Sequence, residues 1–344
     1  MSEIHNKPEA HLKRMDGRIN LPLATNTPTG SLMPVRNVGG VIARLVAVLT
    51  ATTLLFWASI AHGGEIEPRA FSNAPIGVNF LIAGYACTEG GLSTVASSPL
   101  EDAQLEVDTQ LLAYVRTLDV WGKSGKFDVI LPYSHLSGTA MFAGQQVGRT
   151  VSGWNDPLFR FSTNFYGAPA LSTQEFSTYQ QDLIVGGSIQ LSAPWGQYDT
   201  EKLVNIGSNR WFVKPNFGIS KGLGPLTLEL SAGVFLFSDN DDYFKDNTLE
   251  QEPLYTTQVH LTYNFGRGVW AAVSGTYDYG GRTTVNSVRK DDLQSNSRLG
   301  ATLALPVTKN HSIKLYASSG VATRIGNDYD LIGAAWQYRW GNGL

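Results

Sequence analysis

The end of the chain, residues 310–340, contains two runs in which apolar and polar side chains alternate, with a turn-rich stretch between them. Alternation with a period of two predicts a strand whose two faces differ. The apolar face of the second run consists of Ile332, Ala334, Trp336, Tyr338 and Trp340. A sheet in water rarely leaves such a face exposed, whereas an aromatic end suits the boundary between membrane and water. This stretch therefore favours strands that cross a bilayer.

The same alternation continues along the chain from Ile76 onward, and no run reads as a long amphipathic helix. It predicts twelve strands, at about residues 76–87, 104–118, 126–136, 155–165, 181–193, 211–220, 225–238, 253–265, 268–279, 295–306, 311–321 and 329–340. Most are roughly 10 to 14 residues long, the length that a tilted strand needs to cross a bilayer. We therefore predict an all-β fold, a 12-stranded antiparallel transmembrane β-barrel over residues 76–340.

The connections between the predicted strands alternate between short and long. Short turns are expected at 121–125, 221–224, 266–268 and 307–310, and long polar loops at 88–103, 137–154, 194–210, 239–252 and 280–294. Outer-membrane barrels have short periplasmic turns and longer external loops, so both termini are expected in the periplasm. Residues 166–180 are long where a short turn is expected, and the capping box Ser172–Glu175 predicts a short periplasmic helix there.

The chain before the predicted barrel divides into three segments. Residues 1–32 are polar and aperiodic, and we expect them to be a non-native extension ahead of a start at Met33. Residues 33–63 contain basic residues, then the apolar run 45–60, then small residues. This order predicts a secretory signal peptide rather than a membrane-spanning helix. Residues 64–75 are expected to form a short periplasmic segment, and residues 341–344 a tail after the last strand.

Two motifs carry a family resemblance. The closing hairpin reads S-x-G-x-x-T-R-I-G-x-D-x-D from Ser318 and ends in W-Q-Y-R-W, and Gly153–Pro157 reads G-x-x-D-P. From about Ile76 to Trp340 the chain resembles the outer-membrane proteins of the meta-pathway phenol degradation, or MetA-like, transporter family. The resemblance implies a location in the outer membrane of a Gram-negative bacterium and a role in transport. It implies no catalytic residue.

Composition excludes several classes of protein. With 16% charged and 11% aromatic residues, the chain is too aromatic and too regularly patterned to be disordered. Its mean hydropathy of -0.10 excludes a polytopic helical membrane protein, but not a barrel with a polar interior. The single cysteine, Cys87, excludes a disulfide framework. The sequence contains no basic patch of the kind that would indicate binding to nucleic acid.

Placing the apolar parity outward predicts which charges face the lumen. The acids with inward parity are Glu106, Asp108, Asp128, Asp182, Glu229 and Asp278, and the bases are Arg116, Arg160, Lys214, Arg298, Lys314 and Arg339. An Arg or Lys on the lipid face at the midplane costs about 2–4 kcal/mol, so an inward position is physically required. Two interpretations stay open: ion pairs that hold the walls together, or a lining that orients a solute. The even balance argues against strong charge selectivity.

Inward parity also applies to His260 and to five aromatic residues, Phe212, Phe235, Phe237, Trp270 and Tyr316. The aromatic residues are candidates for an apolar patch that binds an aromatic or hydrophobic solute, and packing that narrows the lumen is the alternative. The sequence contains no G-x-S-x-G motif that could supply a nucleophilic serine to His260, so no catalytic residue is predicted. Residues 239–250 have the length of a calcium loop. Tyr243 and Phe244 stand where an oxygen ligand and a glycine belong, so no metal site is predicted.

The sequence therefore predicts an outer-membrane channel or transporter for small compounds, aromatic or otherwise hydrophobic, with no enzymatic activity and no cofactor. A closed barrel with a structural or surface role is the alternative, because twelve strands lie between the roughly eight that leave a filled interior and the roughly sixteen that leave an aqueous channel. Expected partners are outer-membrane lipid and lipopolysaccharide, periplasmic chaperones, the barrel-assembly machinery and a small-molecule solute.

Overall fold

The computed structural model describes residues 66–91, 98–326 and 328–341. The predicted extension and signal peptide, residues 1–63, lie outside these ranges, as do residues 342–344 of the predicted tail. Gly341, placed in the tail by the sequence analysis, instead belongs to the last strand, where it pairs with Val78.

The described part of the chain contains seventeen strands and one short helix. The strands are β1 (Val78–Gly91), β2 (Glu101–Val120), β3 (Lys123–Phe142), β4 (Gln145–Trp154), β5 (Leu158–Tyr166), β6 (Leu183–Ser192), β7 (Phe212–Leu223), β8 (Leu226–Phe237), β9 (Asn240–Tyr243), β10 (Asn247–Gln251), β11 (Leu254–Gly266), β12 (Val269–Gly280), β13 (Thr283–Val285), β14 (Val288–Arg289), β15 (Gln294–Pro306), β16 (His311–Thr323) and β17 (Asp328–Gly341). The helix α1 is Thr173–Phe176. β4 and β5 follow one another along the same edge of β3, so together they occupy one position in the barrel.

The large sheet closes on itself. Each barrel strand is antiparallel to its neighbours, β1 pairs with both β2 and β17, and β2 pairs with β3. The result is a closed 12-stranded antiparallel β-barrel, which confirms the predicted fold class. The first strand pairs with the last, as closure of the barrel requires, with Tyr85 opposite Ala334. We call the end where Val78 pairs with Gly341 the terminal end, and the opposite end the loop end.

The barrel wall reverses the burial found in a water-soluble protein. On β8, Leu230 is 52% exposed, whereas the adjacent Glu229 is 2% exposed. β11 and β15 repeat this alternation, with Val259 and Leu299 among the exposed residues. Apolar side chains on the outer face need lipid around them, and the closed ladder pairs the backbone polar groups that hydrocarbon cannot satisfy.

Strand β2 departs from the predicted orientation. Its apolar residue Leu105 faces inward and packs in a cluster near the loop end. Because side chains alternate, Glu106, Asp108 and Arg116 take the outer face, and the prediction that these three line the lumen is wrong. Tyr85, on the outer face of β1, donates a hydrogen bond to the Asp108 carboxylate. The parity rule fails here because protein, not lipid, covers the apolar face of this strand.

Three of the predicted loops contain strands of their own. β3 and β4 extend into the predicted loop 137–154 as a hairpin. β9, β10, β13 and β14 form a separate four-stranded sheet out of the predicted loops 239–252 and 280–294. Their sequences lack a long apolar alternation because these strands pair with each other and face neither lipid nor an extensive core.

The connection between β5 and β6 contains α1, as the capping box predicted. The Ser172 hydroxyl accepts a hydrogen bond from the Glu175 backbone N–H at 3.3 Å. The hydroxyl and the backbone N–H of Ser172 both donate to the Glu175 carboxylate and lower its pKa. Within the described ranges no helix is long and apolar enough to cross a membrane.

An aromatic row on the outer face closes the barrel near the terminal end. Trp336, Tyr338 and Trp340 stack along β17 with ring centroids 6.3 and 5.4 Å apart, and Tyr114 of β2 lies 6.2 Å from Trp340 across β1. Replacing Trp340 by alanine is expected to lower the free energy of unfolding by about 1 kcal/mol through lost aromatic contacts. Urea titration followed by the heat-resistant gel band measures this change. Trp340→Phe is the control, and equal midpoints for the two variants would contradict the prediction.

Candidate functional site

The chain preceding β1 lies inside the barrel. We predicted residues 64–75 to be a periplasmic segment, but from Ile66 on they pack against the inner face of the wall. The Glu229 carboxylate of β8 accepts hydrogen bonds from the backbone N–H groups of Arg69, at 2.5 Å, and Phe71, at 3.2 Å. A buried carboxylate with two backbone donors is a strong, directional anchor. We call residues 66–75 the internal segment.

Two basic residues on the opposite wall bind the same segment. The Lys126 ammonium of β3 donates to the Ala70 carbonyl at 2.9 Å. The Arg160 guanidinium of β5 binds the Glu67 carboxylate and, at 2.5 Å, Asp128 of β3. The segment also reaches β15, where a Cβ atom on Gly300 would lie 2.5 Å from Ile66. In this twelve-position ring β5 and β15 stand six positions apart, so the internal segment crosses the lumen.

Adjacent glycines on the wall make room for the segment. Gly186 of β6 and Gly218 of β7 are paired across the ladder, and the Phe71 ring fills the space above them. A Cβ atom on Gly218 would lie 2.1 Å from this ring, so no larger residue fits without moving Phe71. Ala168 and Ile184 complete the apolar contact around the ring. A glycine pair in a strand marks such a close approach.

A long loop covers the loop end of the barrel. Residues 193–211, between β6 and β7, fold without regular structure, and Val204 of this loop packs with Leu105, Leu136 and Tyr329 in a buried apolar cluster. These partners come from β2, β3 and β17, which stand away from β6 and β7 around the ring. The loop therefore extends across the mouth of the barrel.

Asp156, from the G-x-x-D-P motif, fixes that loop. Its carboxylate accepts hydrogen bonds from the Gly196 N–H at 2.9 Å, the Ser208 N–H at 2.8 Å and the Ser208 hydroxyl at 2.6 Å. Trp154 adds a backbone bond, with its carbonyl accepting from the Gln197 N–H at 2.7 Å. The sequence identifies this motif as a family signature without a role, and the geometry makes it one attachment point of the loop.

Alanine in place of Asp156 is expected to free the loop 193–211 without unfolding the barrel. Two backbone donors would lose a charged acceptor, at a local cost of about 2–6 kcal/mol. Hydrogen exchange of residues 196–208 should accelerate, while exchange in β11 and β12 stays unchanged. Asp156→Asn keeps one acceptor oxygen, so its loop should exchange at a rate between those of the unmodified protein and Asp156→Ala. Alanine in place of the exposed Asp241 is the control. Unchanged exchange in the loop would refute the role given to Asp156.

Three of the predicted aromatic residues form one cluster on the inner face. Phe235 and Phe237 of β8 lie nearly parallel, 6.2 Å apart, and Phe212 of β7 meets both rings at 66°. The Lys214 ammonium lies 4.6 Å from the Phe235 centroid, and the Arg210 guanidinium 4.4 Å from the Phe237 centroid. We call these five residues the aromatic–cation cluster. Arg210 belongs to the loop 193–211, and Lys214 borders a small cavity together with Ala70 and Phe71 of the internal segment.

Other predicted residues are also on the inner face of the wall. His260 contacts the Ser274 hydroxyl through Nδ1 at 2.8 Å and the Gln258 amide oxygen through Nε2 at 3.1 Å. Both His260 and Ser274 are buried, and Gln258 is not a carboxylate, so the pair lacks the access and the third group of a catalytic triad. Asp278 is buried too, and the Arg298 guanidinium lies 3.2 Å from the Tyr329 ring centroid. The ring of Trp270 faces Arg69 at 5.3 Å.

Four predicted residues lie elsewhere or stand apart from this group. Asp182 is at the rim of the terminal end, with its side chain 81% exposed and bound to Lys221, so it does not line the lumen. Arg339 donates to the Lys309 carbonyl in a turn at the same end. Lys314 and Tyr316 face the lumen on β16, with the ammonium 5.4 Å from the ring.

Sequence reasoning missed the residues that fill the lumen. The internal segment carries no strand pattern, so Glu67, Arg69 and Phe71 gave no signal before the fold placed them next to Glu229 and Arg160. Arg210 was assigned to an external loop. The glycine pair on neighbouring strands was the one available clue to a close approach. In the described part of the chain no group of three or more His, Cys, Asp or Glu residues could hold a metal ion.

An apolar outer face, a polar inner face and a closed ring of antiparallel strands define an outer-membrane type of β-barrel. The chain belongs to the family described as "Putative MetA-pathway of phenol degradation", whose model matches residues 88–338. This confirms the family resemblance of the two sequence motifs.

The chain is similar to solved structures, and the first of those named here shares its fold. The COG4313 outer membrane channel from Pseudomonas putida F1 is 19% identical, with a TM-score of 0.67 over 80% of this chain and 100% of that chain. The transport unit of the autotransporter AIDA-I from Escherichia coli is 9% identical, with a TM-score of 0.47 over 88% and 98%. A deletion mutant of the monoaromatic hydrocarbon channel TodX is 12% identical, with a TM-score of 0.45 over 83% and 96%. Among curated protein sequences there is no match.

Proposed function

We propose that this protein is a channel in the outer membrane of a Gram-negative bacterium that takes up small aromatic or otherwise hydrophobic compounds, and that it is not an enzyme. The observation that carries this proposal is the aromatic–cation cluster, in which three phenylalanine rings contact each other on the inner face of the wall beside two cations. A hydrophobic solute gains binding free energy when it contacts apolar surface inside the lumen, and a strongly hydrated solute does not.

Membership in a family described by phenol degradation supports the aromatic part of the proposal. A solved structure with the same fold is named an outer membrane channel, which supports the transport part. The short turns and α1 at the terminal end support placing that end in the periplasm. Lipid, lipopolysaccharide, periplasmic chaperones and the barrel-assembly machinery follow as partners from that location.

A closed barrel with a structural or surface role is the second candidate. The internal segment crosses the lumen and the loop 193–211 covers its mouth, so both are obstacles to a solute. For transport, at least one of them has to move during passage. The loop is attached through the Asp156 carboxylate, the Trp154 carbonyl and the packing of Val204, and the internal segment is held by residues on several strands.

Flux into liposomes distinguishes the two candidates. We expect vesicles containing the purified barrel to take up phenol and benzyl alcohol faster than protein-free vesicles, after subtraction of passive permeation. Glucose should enter little faster than in the protein-free control. Phe235→Ala should reduce the protein-dependent uptake of benzyl alcohol, and Val273→Ala on the outer face is the matched control. Uptake equal to that of empty vesicles for every compound would favour the closed barrel.

A further inference from the structure

We propose that the aromatic–cation cluster binds small aromatic compounds that carry one carboxylate group. Phe212, Phe235 and Phe237 would contact the ring of the solute, and Arg210 and Lys214 would bind its carboxylate. This proposal rests on the proposed function and narrows its substrate class from hydrophobic compounds in general to aromatic acids.

The two cations are buried, and neither forms an ion pair in the described part of the chain. Arg210 and Lys214 are each 8% exposed. Among residues 66–91, 98–326 and 328–341, no carboxylate lies within 4.0 Å of either one. Burial lowers the pKa of Arg210 to about 10, so the guanidinium stays charged at neutral pH. Buried cations are ordinarily paired, because burying an unpaired charge is strongly unfavourable.

One hydrogen-bond donor of Arg210 has no acceptor among the described residues. Its Nη2 donates to the Gln251 side-chain oxygen at 2.5 Å. Its Nη1 is buried, and no atom in the described part of the chain accepts a hydrogen bond from it. A carboxylate is the acceptor whose geometry best matches a guanidinium. Each of the two cations also lies against a phenylalanine face, which attracts a cation less strongly than a carboxylate does.

The nearby acids in the described part of the chain do not bind Arg210 or Lys214 directly. Asp156 is occupied by its three donors from the loop, and Asp239 is exposed to solvent. Asp278 is the buried acid on this part of the wall, where it faces both Lys214 and Arg298. The carboxylates of Glu67 and Glu229 lie on the other side of Lys214 and are bound by Arg160 and the internal segment. The proposed site for the solute carboxylate is therefore on the Arg210 side of the cluster, where Nη1 lacks an acceptor among the described residues.

The arrangement matches the shape of an aromatic acid. Along β7 and the loop before it, Arg210, Phe212 and Lys214 alternate cation, ring, cation. The three phenylalanine side chains keep part of their surface open, since none of them is fully buried. Edge-to-face and offset contacts with such rings suit a further aromatic ring. A neutral or cationic aromatic compound would gain the ring contacts but would leave Nη1 of Arg210 unsatisfied.

Calorimetric titration of the full barrel in detergent micelles tests the proposal with three probes that share one ring: benzoate, benzyl alcohol and benzylamine. We expect benzoate to bind most tightly. Lys214→Met and Arg210→Gln should each weaken benzoate binding about tenfold and alter benzyl alcohol binding less than twofold. Lys245→Met is the matched control, because Lys245 is exposed and lies against Phe244 in the turn between β9 and β10. Folding of each variant is checked by its heat-resistant gel band.

The outcomes separate this proposal from the proposed function. Benzoate binding that is no tighter than benzyl alcohol binding, or that is unaffected by both lumen substitutions, would overturn the preference for acids. If benzyl alcohol still binds and passes into liposomes, the proposed function survives that result. If none of the three compounds binds or passes, both proposals fail. Weakening of benzoate binding by Lys245→Met to the same degree would assign the effect to overall charge and would also overturn the site.

Discussion

Replacing Glu229 by alanine is expected to release the internal segment from the lumen while the barrel stays folded. The carboxylate accepts the backbone N–H groups of Arg69 and Phe71, and each hydrogen bond to a charged group contributes about 1.5–3 kcal/mol. Losing both removes roughly 3–6 kcal/mol from the attachment of the segment. The strand itself keeps its ladder bonds to β7 and β11.

Trypsin measures this release directly, because Arg69 lies within the segment. We expect the peptide bond after Arg69 to be protected in the unmodified protein and cut in Glu229→Ala. Single-channel conductance in planar bilayers should rise in the same variant. Glu229→Gln retains one acceptor oxygen and should show intermediate protection.

A second variant tests the same contact from the other side. Gly218→Leu places side-chain atoms where the Phe71 ring lies, since even a Cβ atom would approach that ring to 2.1 Å. It should expose Arg69 to trypsin with the Glu229 carboxylate still present. If both variants keep the protection and conductance of the unmodified barrel, the segment is held by contacts other than these.

Arginine in place of Leu230 is expected to prevent stable insertion of the barrel. Leu230 is on the outer face in the middle of β8, and a guanidinium there costs about 2–4 kcal/mol near the bilayer midplane. The heat-resistant gel band and the membrane fraction should both decrease.

Ser231→Arg is the matched control, one residue further and on the inner face. Ser231 borders a small cavity beside Lys214, Glu229 and His260, of about 20 Å³, which has room for one water molecule and not for an arginine side chain. We expect this variant to insert and to fold, but to expose Arg69 to trypsin by displacing the internal segment. Similar insertion of the two variants would mean that the register of β8 differs from the one described.

The family motif illustrates how far a sequence alone leads. The G-x-x-D-P motif predicts a family, and the family is confirmed, but the motif does not indicate what its aspartate binds. The partners of Asp156 are Gly196 and Ser208, which are 40 and 52 residues away. A carboxylate is informative about structure only once the donors that face it are known.

The wall of the barrel could be predicted from the sequence because its determinants are local. Lipid covers one face of nearly every strand, so apolar alternation reports directly which residues face outward, as at Leu230, Val259 and Leu299. Closure follows from the same pattern, since hydrocarbon leaves no other partner for backbone groups. The capping box of α1 was equally local, with both partners three residues apart.

The contents of the barrel depended on the tertiary structure. Glu229 meets Phe71 across 158 positions of sequence, and Arg160 meets Glu67 across 93, so no periodic signal joins them. The predicted orientation of β2 is wrong for the same reason. Val204 and its neighbours, from distant parts of the chain, cover Leu105, whereas the parity rule assumes that lipid covers an apolar face. Alternation records that a face is apolar but not what covers it. Only the folded chain brings together the internal segment, the loop 193–211 and the aromatic–cation cluster, because each is built from side chains that share no local pattern.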